Sequence, residues 1–202
     1  MMMKKMKLYS LMCLFCCPLF LAAQEVKEKK DTVKPKELTF DMVMEALSNQ
    51  TKKAEDKVKA NLSAGTEAPD FKYPDIEGNI YSLKDFKGKY VYIDVWATWC
   101  GPCCKEMPSL KKLEKKMAKK KIVFVSLSCD EKQEAWRKMV KEDKLGGVQL
   151  CMGKDMTFRD AYGITAIPRF ILLDKEGRIV NVFMTPPSDL RTEKTLLALP
   201  GI

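Results

Sequence analysis

The stretch that most constrains this chain lies between residues 90 and 103. Tyr90 to Trp96 is apolar except for one carboxylate, Asp94; Ala97-Thr98-Trp99 then leads to Cys100-Gly101-Pro102-Cys103, and an amphipathic pattern follows. This order reads as a buried strand, a short turn carrying two cysteines, and a helix. Two thiols at this spacing suit a reversible disulfide. At a helix N-terminus the unpaired backbone N–H groups and the macrodipole favour thiolate over thiol. Pro102 fits the first helical turn, where its missing N–H is not needed. Cys103 lies on the stripe of Met107, Leu110, Leu113/Glu114 and Met117, so it is expected to face inward, with Cys100 the exposed member.

The residue inventory narrows the chemistry. The 202 residues contain no histidine, which excludes Cys-His and Ser-His nucleophile pairs and any histidine metal ligand. Proton transfer is left to carboxylate, thiol, amine, tyrosine or water. A charge inside an apolar strand is costly, so burial should raise the pKa of Asp94 toward neutrality, which suits a group that accepts a proton. Of eight cysteines, Cys13, Cys16 and Cys17 stand in an N-terminal apolar segment, leaving Cys100, Cys103, Cys104, Cys129 and Cys151. These are too few and too unevenly spaced for a disulfide scaffold. The chain carries 36 basic and 27 acidic side chains, a net +9. Its lysines are spread along the helices and the tail without aromatic partners. That is a solvated basic surface rather than a footprint for nucleic acid or membrane.

In chain order, residues 1–7 hold three lysines, residues 8–23 are apolar, and Leu21-Ala22-Ala23 offers small residues for cleavage. Residues 1–23 therefore read as a secretory signal peptide, with an uncleaved membrane anchor as the alternative. Residues 24–61 begin as a charged, aromatic-free linker and end in a weak helical stripe at Phe40, Val43/Met44, Leu47, Ala54 and Val58. One folded domain is expected over 62–202. Ala68-Pro69-Asp70-Phe71 and Ile80-Tyr81-Ser82-Leu83 flank Glu77-Gly78-Asn79, a hairpin signal. Pro108 is expected to kink the helix after the cysteines. A strand over 122–128 precedes a helix over 131–144 with Ala135/Trp136 and Met139/Val140 inward. A strand over 148–151 and a short helix over 157–162 come next. Strands over 170–173 and 179–183 pair around Lys175-Glu176-Gly177, and a last helix over 188–199 turns Leu190 and Leu196/Leu197 inward. Alternating strands and helices followed by a hairpin make an α/β sandwich with a mixed sheet.

The motif Trp96-Ala97-Thr98-Trp99-Cys100-Gly101-Pro102-Cys103, with Asp94 six residues before the first cysteine, resembles thioredoxin. The wider frame is AGTEAPDF at 64–71, DIEGNIYSLKDFKGKYVYIDVWATWCGPCCKEMPSL at 75–110 and GITAIPRFILLDKEGRIV at 163–180. It is similar to exported thioredoxin-like proteins of the TlpA/ResA type within the redoxin superfamily, from about residue 62 to near the end. The resemblance implies a thioredoxin-like sandwich, a mixed central sheet flanked by helices with an N-terminal hairpin extension, and an exported thiol-disulfide oxidoreductase. Cys100 would attack a substrate disulfide, and Cys103 would then displace the substrate from Cys100. Asp94 would take the Cys103 proton. The Lys that thioredoxins usually place near this Asp is missing from residues 122–128. Pro168 resembles the family's cis-proline, which would expose the Ile167 backbone to an extended substrate. Trp99, Gly101, Pro102, Ile167 and Pro168 are the expected substrate contacts, with Trp96 and Trp99 walling the turn. Glu106 resembles the acidic residue common after the motif in exported members, although a helix-surface Glu is the plainer reading. Arg169 stands where relatives often have Thr. Cys129 and Cys151 end two strands that the resemblance makes neighbours; a second disulfide, a thiol pair or neither is open.

The expected partners are disulfide-containing proteins, apocytochrome c among the candidates, and a membrane electron donor in place of a cytosolic reductase. The expected location is periplasmic, with no cofactor beyond the Cys100–Cys103 disulfide, no metal and no nucleic acid; the oligomeric state has no signal. Two other classes compete. A thiolate metal chaperone would use Cys100, Cys103 and Cys104, with Cys129/Cys151 as further candidate ligands, and without His would favour Cu(I) or Zn(II). Its Cys100–Cys104 spacing resembles copper-delivery relatives, which also use a histidine. A peroxiredoxin would need Pro at position 93 and Thr at position 97, where Ile93 and Ala97 stand.

Overall fold

The computed structural model describes residues 39–202. The expected signal peptide, the cysteines within it and the charged linker lie outside the described residues. The first element, α1 (Phe40–Asn61), buries none of its residues fully, and Phe40, Met44 and Leu47 are exposed. Only its last turns meet the core, through the half-buried Val58. Val58 lies against Gly163, whose φ of +57° and missing side chain leave room for it.

A small hairpin follows, β1 (Tyr73–Pro74) with β2 (Ile80–Tyr81). It is shorter than the sequence implies: Ala68 to Phe71 is not a strand. The reason is local side-chain bonding. The Asp70 carboxylate accepts the backbone N–H groups of Phe71 and Leu83, and Asp75 accepts those of Glu77 and Asn79. These bonds replace ladder bonds on both sides of the turn.

The main sheet has five strands in the order β5-β4-β3-β6-β7. These are β3 (Tyr90–Trp96), β4 (Ile122–Ser128), β5 (Val148–Cys151), β6 (Arg169–Leu173) and β7 (Ile179–Asn181). The first three run parallel, and β6 and β7 are antiparallel to their neighbours. Both faces of β3 are covered, so all seven of its residues are buried. Alternation divides them. Val91, Ile93 and Val95 join a cluster with Trp136, Val140 and Phe158, whereas Tyr90 and Tyr92 join Leu110, Leu113, Met117 and Leu196. Asp94 shares the parity of Tyr90 and Tyr92, which turns its carboxylate toward the helix after the cysteines.

That helix, α2 (Gly101–Met117), buries Cys103, Leu110, Leu113 and Met117 as its stripe implies, and continues through Pro108. Helix α3 (Gln133–Glu142) buries Trp136 and Val140, while Ala135 is exposed. A short α4 (Thr157–Ala161) follows β5. In α5 (Leu190–Leu197) the inward pair is Thr192 and Leu196. Leu190 and Leu197 are exposed, against expectation. The Asp189 carboxylate caps the helix by accepting the Arg191 N–H, so the helix starts at Leu190 and its inward face falls on residues four apart.

Candidate active site

The end of β3 and the start of α2 build the site. Cys100 is the N-cap of α2, and Cys100 and Cys103 are joined as a disulfide with Cα atoms 5.2 Å apart. The Cys103 backbone N–H donates to Cys100 Sγ at 3.2 Å. In the reduced protein this bond and the positive end of the helix act on Cys100 sulfur, the conditions that stabilise a thiolate. Both cysteines are buried, Cys100 with 5% of its surface exposed and Cys103 with 3%. The expected contrast in exposure is therefore absent. Cys100 is covered from the side: Ile167 carbonyl oxygen lies 3.9 Å from its sulfur. The Ile167–Pro168 bond is cis, as the resemblance implied.

The expected wall of tryptophans divides into two roles. Trp96 is a core residue, 1% exposed, whereas Trp99 is 70% exposed beside the disulfide, where Gly101 and Pro102 are also open to solvent. Pro102, which stands between the two cysteines, lines an open groove with Glu106, Pro168, Arg169 and Phe183, and Glu55 of α1 joins its lining. The Arg169 guanidinium carbon lies 3.9 Å from the centre of the Phe183 ring, and burial lowers its pKa from the usual arginine value. Glu106 is not a free surface carboxylate. It accepts the backbone N–H and the hydroxyl of Ser188 at 2.9 and 2.8 Å, tying α2 to the segment before α5.

Asp94 lies behind the disulfide, 5% exposed, in a narrow crevice shared with Cys103, Glu106, Met107 and Pro168. Burial pushes its pKa up to about 7; a hydrogen bond from the Ser126 hydroxyl, at 2.6 Å, works against this, and the charge of Glu114 adds to it. Ser126 is the direct cross-strand partner of Asp94. On the strand from which the lysine is missing, it sets a hydroxyl against Asp94.

Sequence reasoning missed Asp130. This buried carboxylate accepts the Thr98 N–H at 3.0 Å, the Thr98 hydroxyl at 2.6 Å and the Ser128 hydroxyl at 2.7 Å. It fixes the residues that lead into Cys100. A signal existed: an Asp directly after the strand parallel to the one that carries the cysteines stands beside the cysteine turn. Cys129 and Cys151 are unbonded to each other, and Cys104 is also free. Cys129 Sγ donates to Trp96 carbonyl and Cys151 Sγ to Asp130 carbonyl. Among the described residues, no group of three or more His, Cys, Asp or Glu is placed to hold a metal ion.

A helix-capping dithiol on a mixed five-stranded sheet, faced by a cis-proline and backed by a buried carboxylate, defines a thiol-disulfide oxidoreductase of the thioredoxin fold. The family model described as Redoxin matches residues 63–199, and the chain belongs to that family. The thiol-disulfide oxidoreductase ResA of Bacillus thuringiensis subsp. konkukian (strain 97-27) is 37% identical over 120 residues, 59% of this chain and 69% of the relative. A Bacteroides vulgatus protein assigned as a thiol-disulfide oxidoreductase, solved in solution, is 58% identical with a TM-score of 0.60, covering 67% of this chain and 89% of that one. The thioredoxin domain of a thiol-disulfide oxidoreductase from the same species is 35% identical with a TM-score of 0.61, covering 67% and 96%.

Proposed function

We propose that this protein is an exported reductase of protein disulfides, with Cys100 as the attacking thiolate and Cys103 as the resolving thiol. The observation that carries the reading is the Cys100 sulfur at the N-cap of α2, accepting the Cys103 N–H beside the Ile167 carbonyl. Cys100 thiolate attacks one sulfur of a substrate disulfide; a Cys100–substrate bond forms, and the other substrate sulfur leaves as a thiolate. Cys103 then gives its proton to Asp94, attacks Cys100 and releases the second substrate sulfur. Asp94 suits this because its pKa of about 7 lets it hold or lose a proton near neutral pH. Trp99, Gly101, Pro102, Ile167 and Pro168 stand around the disulfide and would receive the polypeptide, the Ile167 backbone beside Cys100 offering it hydrogen bonds.

The substrates we propose are disulfide-bonded proteins outside the cytoplasm, apocytochrome c among them, with a membrane protein as the electron source. The location follows from the charged and apolar leader at residues 1–23. The test is insulin reduction in dithiothreitol, followed by trapping with Cys103→Ser in cells. Turnover and covalent capture of extracytoplasmic cysteine proteins are the expected results. Failure to reduce insulin, together with stoichiometric copper or zinc in protein purified without added metal, would replace this reading with a metal-carrying one.

A further inference from the structure

Behind Asp94 lies a second carboxyl group that the exchange chemistry above does not use. Glu114 sits on the flank of α2, and its Oε1 atom is buried without a hydrogen-bond partner. It lines a crevice with Ser126, Leu145, Gly146 and Gln149. The side-chain oxygen of Gln149 is also buried there without a partner, while its amide donates to the Gly146 carbonyl at 2.7 Å. Buried polar atoms are normally satisfied, so two unpaired oxygens facing one crevice need a proton or a donor between them.

Ser126 joins this crevice to the active site. Its hydroxyl donates to Asp94 at 2.6 Å, and Asp94 lines a separate crevice with Cys103. Met107 and Leu110 wall both crevices. Cys103 and Glu114, both on α2, thus flank the cross-strand pair Asp94 and Ser126, each sharing a crevice with one member of it. The charged groups facing Glu114 are Lys111 on α2 itself and Asp94 on β3; β4 and β5 present the neutral Ser126 and Gln149. The Lys111 ammonium is engaged by the Asp143 carbonyl. Burial pushes Glu114 up to about 7, in the same direction and for the same reason as Asp94.

We propose that Glu114 is a positioning residue for the resolving step: it is coupled to Asp94 through Ser126 and passes the Cys103 proton out along the flank of α2. This rests on the assignment of Cys103 and Asp94 made above. In the step, the Cys103 S–H bond breaks and its proton goes to the Asp94 carboxylate. The Cys103 sulfur electron pair forms the bond to Cys100 Sγ, and the Cys100–substrate bond breaks with its electron pair on the substrate sulfur. Protonated Asp94 then donates to the Ser126 oxygen as the Ser126 hydroxyl proton passes, by way of a solvent water entering the crevice that both residues line, to Glu114. Glu114 releases a proton to solvent, which restores both carboxylates.

The test is the pH dependence of mixed-disulfide resolution in single turnover. Two coupled carboxyls should give the wild type a broad rise over two steps near neutral pH. Glu114→Gln should leave one narrower step at lower pH, by about one unit, because a neighbouring negative charge is gone. Glu114→Asp should keep two steps. Ser126→Ala, which keeps both carboxyls, should slow the plateau by about tenfold. A Glu114→Gln profile that superimposes on the wild type, or an unslowed Ser126→Ala, overturns the proposal. A second measurement needs neither turnover nor a stable Glu114 variant: carboxyl carbon NMR of the resting oxidised protein. There Asp94→Asn should move the Glu114 midpoint down, since coupling is reciprocal; an unmoved midpoint overturns the proposal. Wild-type protein that reduces no disulfide yet shows this shift refutes the functional assignment and leaves the coupling standing.

Discussion

Two pairs of cysteines stand at neighbouring strand ends and do opposite things. Cys100 and Cys103 straddle the start of α2 and are joined. Cys129 and Cys151 stand just after β4 and at the end of β5, and are free. Exposure does not separate them, because all four are buried. Hydrogen-bond polarity does. Cys100 sulfur accepts from a backbone N–H, an arrangement that favours negative charge. Cys129 and Cys151 face carbonyl oxygens, to which only a protonated thiol can donate, and burial pushes both thiols up from the ordinary cysteine value. The lesson is that burial by itself makes a thiol inert: at Cys100 a helix start and a backbone N–H act on the sulfur, whereas at Cys129 and Cys151 burial outweighs the donors that are present.

The sharpest way to break this comparison is to exchange the nucleophile. Cys100→Ser should lower disulfide-reductase activity by about a thousandfold or more. Cys129→Ser and Cys151→Ser should leave it within about twofold, since burial holds both thiols in the protonated form and neither takes part in the disulfide. Brief alkylation of reduced wild type at neutral pH, read by peptide mass spectrometry, should label Cys100 first. Prior labelling of Cys129 or Cys151 would refute the polarity argument.

Asp94→Asn gives the next largest effect. Without its base, resolution should slow by about a hundredfold while mixed-disulfide formation persists, and the intermediate should accumulate. Stability moves the other way. The folded pKa of about 7 lies above the ordinary 3.8, so the native state binds this proton more tightly than the unfolded chain. The wild type therefore loses stability as pH rises from about 4 to about 7, and the loss is constant above that. Urea unfolding should show Asp94→Asn more stable than wild type by about 2–4 kcal/mol at alkaline pH, with no gain near pH 4. A gain of equal size at both pH values would mean that charge burial is not its source.

Asp130→Ala strips three hydrogen bonds from the turn leading to Cys100, and should cost about 2–3 kcal/mol of stability together with part of the activity. Cys151→Ala is the mildest, about 1 kcal/mol for a small buried sulfur, with turnover unchanged. If Asp130→Ala and Cys151→Ala cost the same, the carboxylate is not what orders the turn.

The catalytic strand, its carboxylate and both cysteines were legible because they are near one another in sequence and sit in strong local patterns, whereas Pro168 was legible only through the family resemblance. The apolar run from Tyr90 to Trp96 alone predicts that Asp94 is buried, and the stripe from Cys103 to Met117 sets the inward face of α2. What was not legible depends on contacts between distant segments. Asp130 reaches Thr98 only because β3 and β4 run side by side, and Glu106 meets Ser188 only because two helices lie on one face. The exposure of Cys100 was misjudged for the same reason: the residue that covers it is Ile167, far along the chain. Leu190 misled because apolar character was read without the cap at Asp189 that sets where α5 begins.

The unbroken parallel pairing of β3 with β4, from Tyr90↔Ile122 to Trp96↔Ser128, has a practical consequence. A shift of β4 by one residue would swap its two faces, carrying Ser126 away from Asp94 and Asp130 away from Thr98. Helix content and molecular size would hardly change, so circular dichroism and gel filtration would report a native protein. Turnover would not. Reductase activity is thus a gauge of strand alignment, able to reject misaligned refolding products that pass every test of compactness.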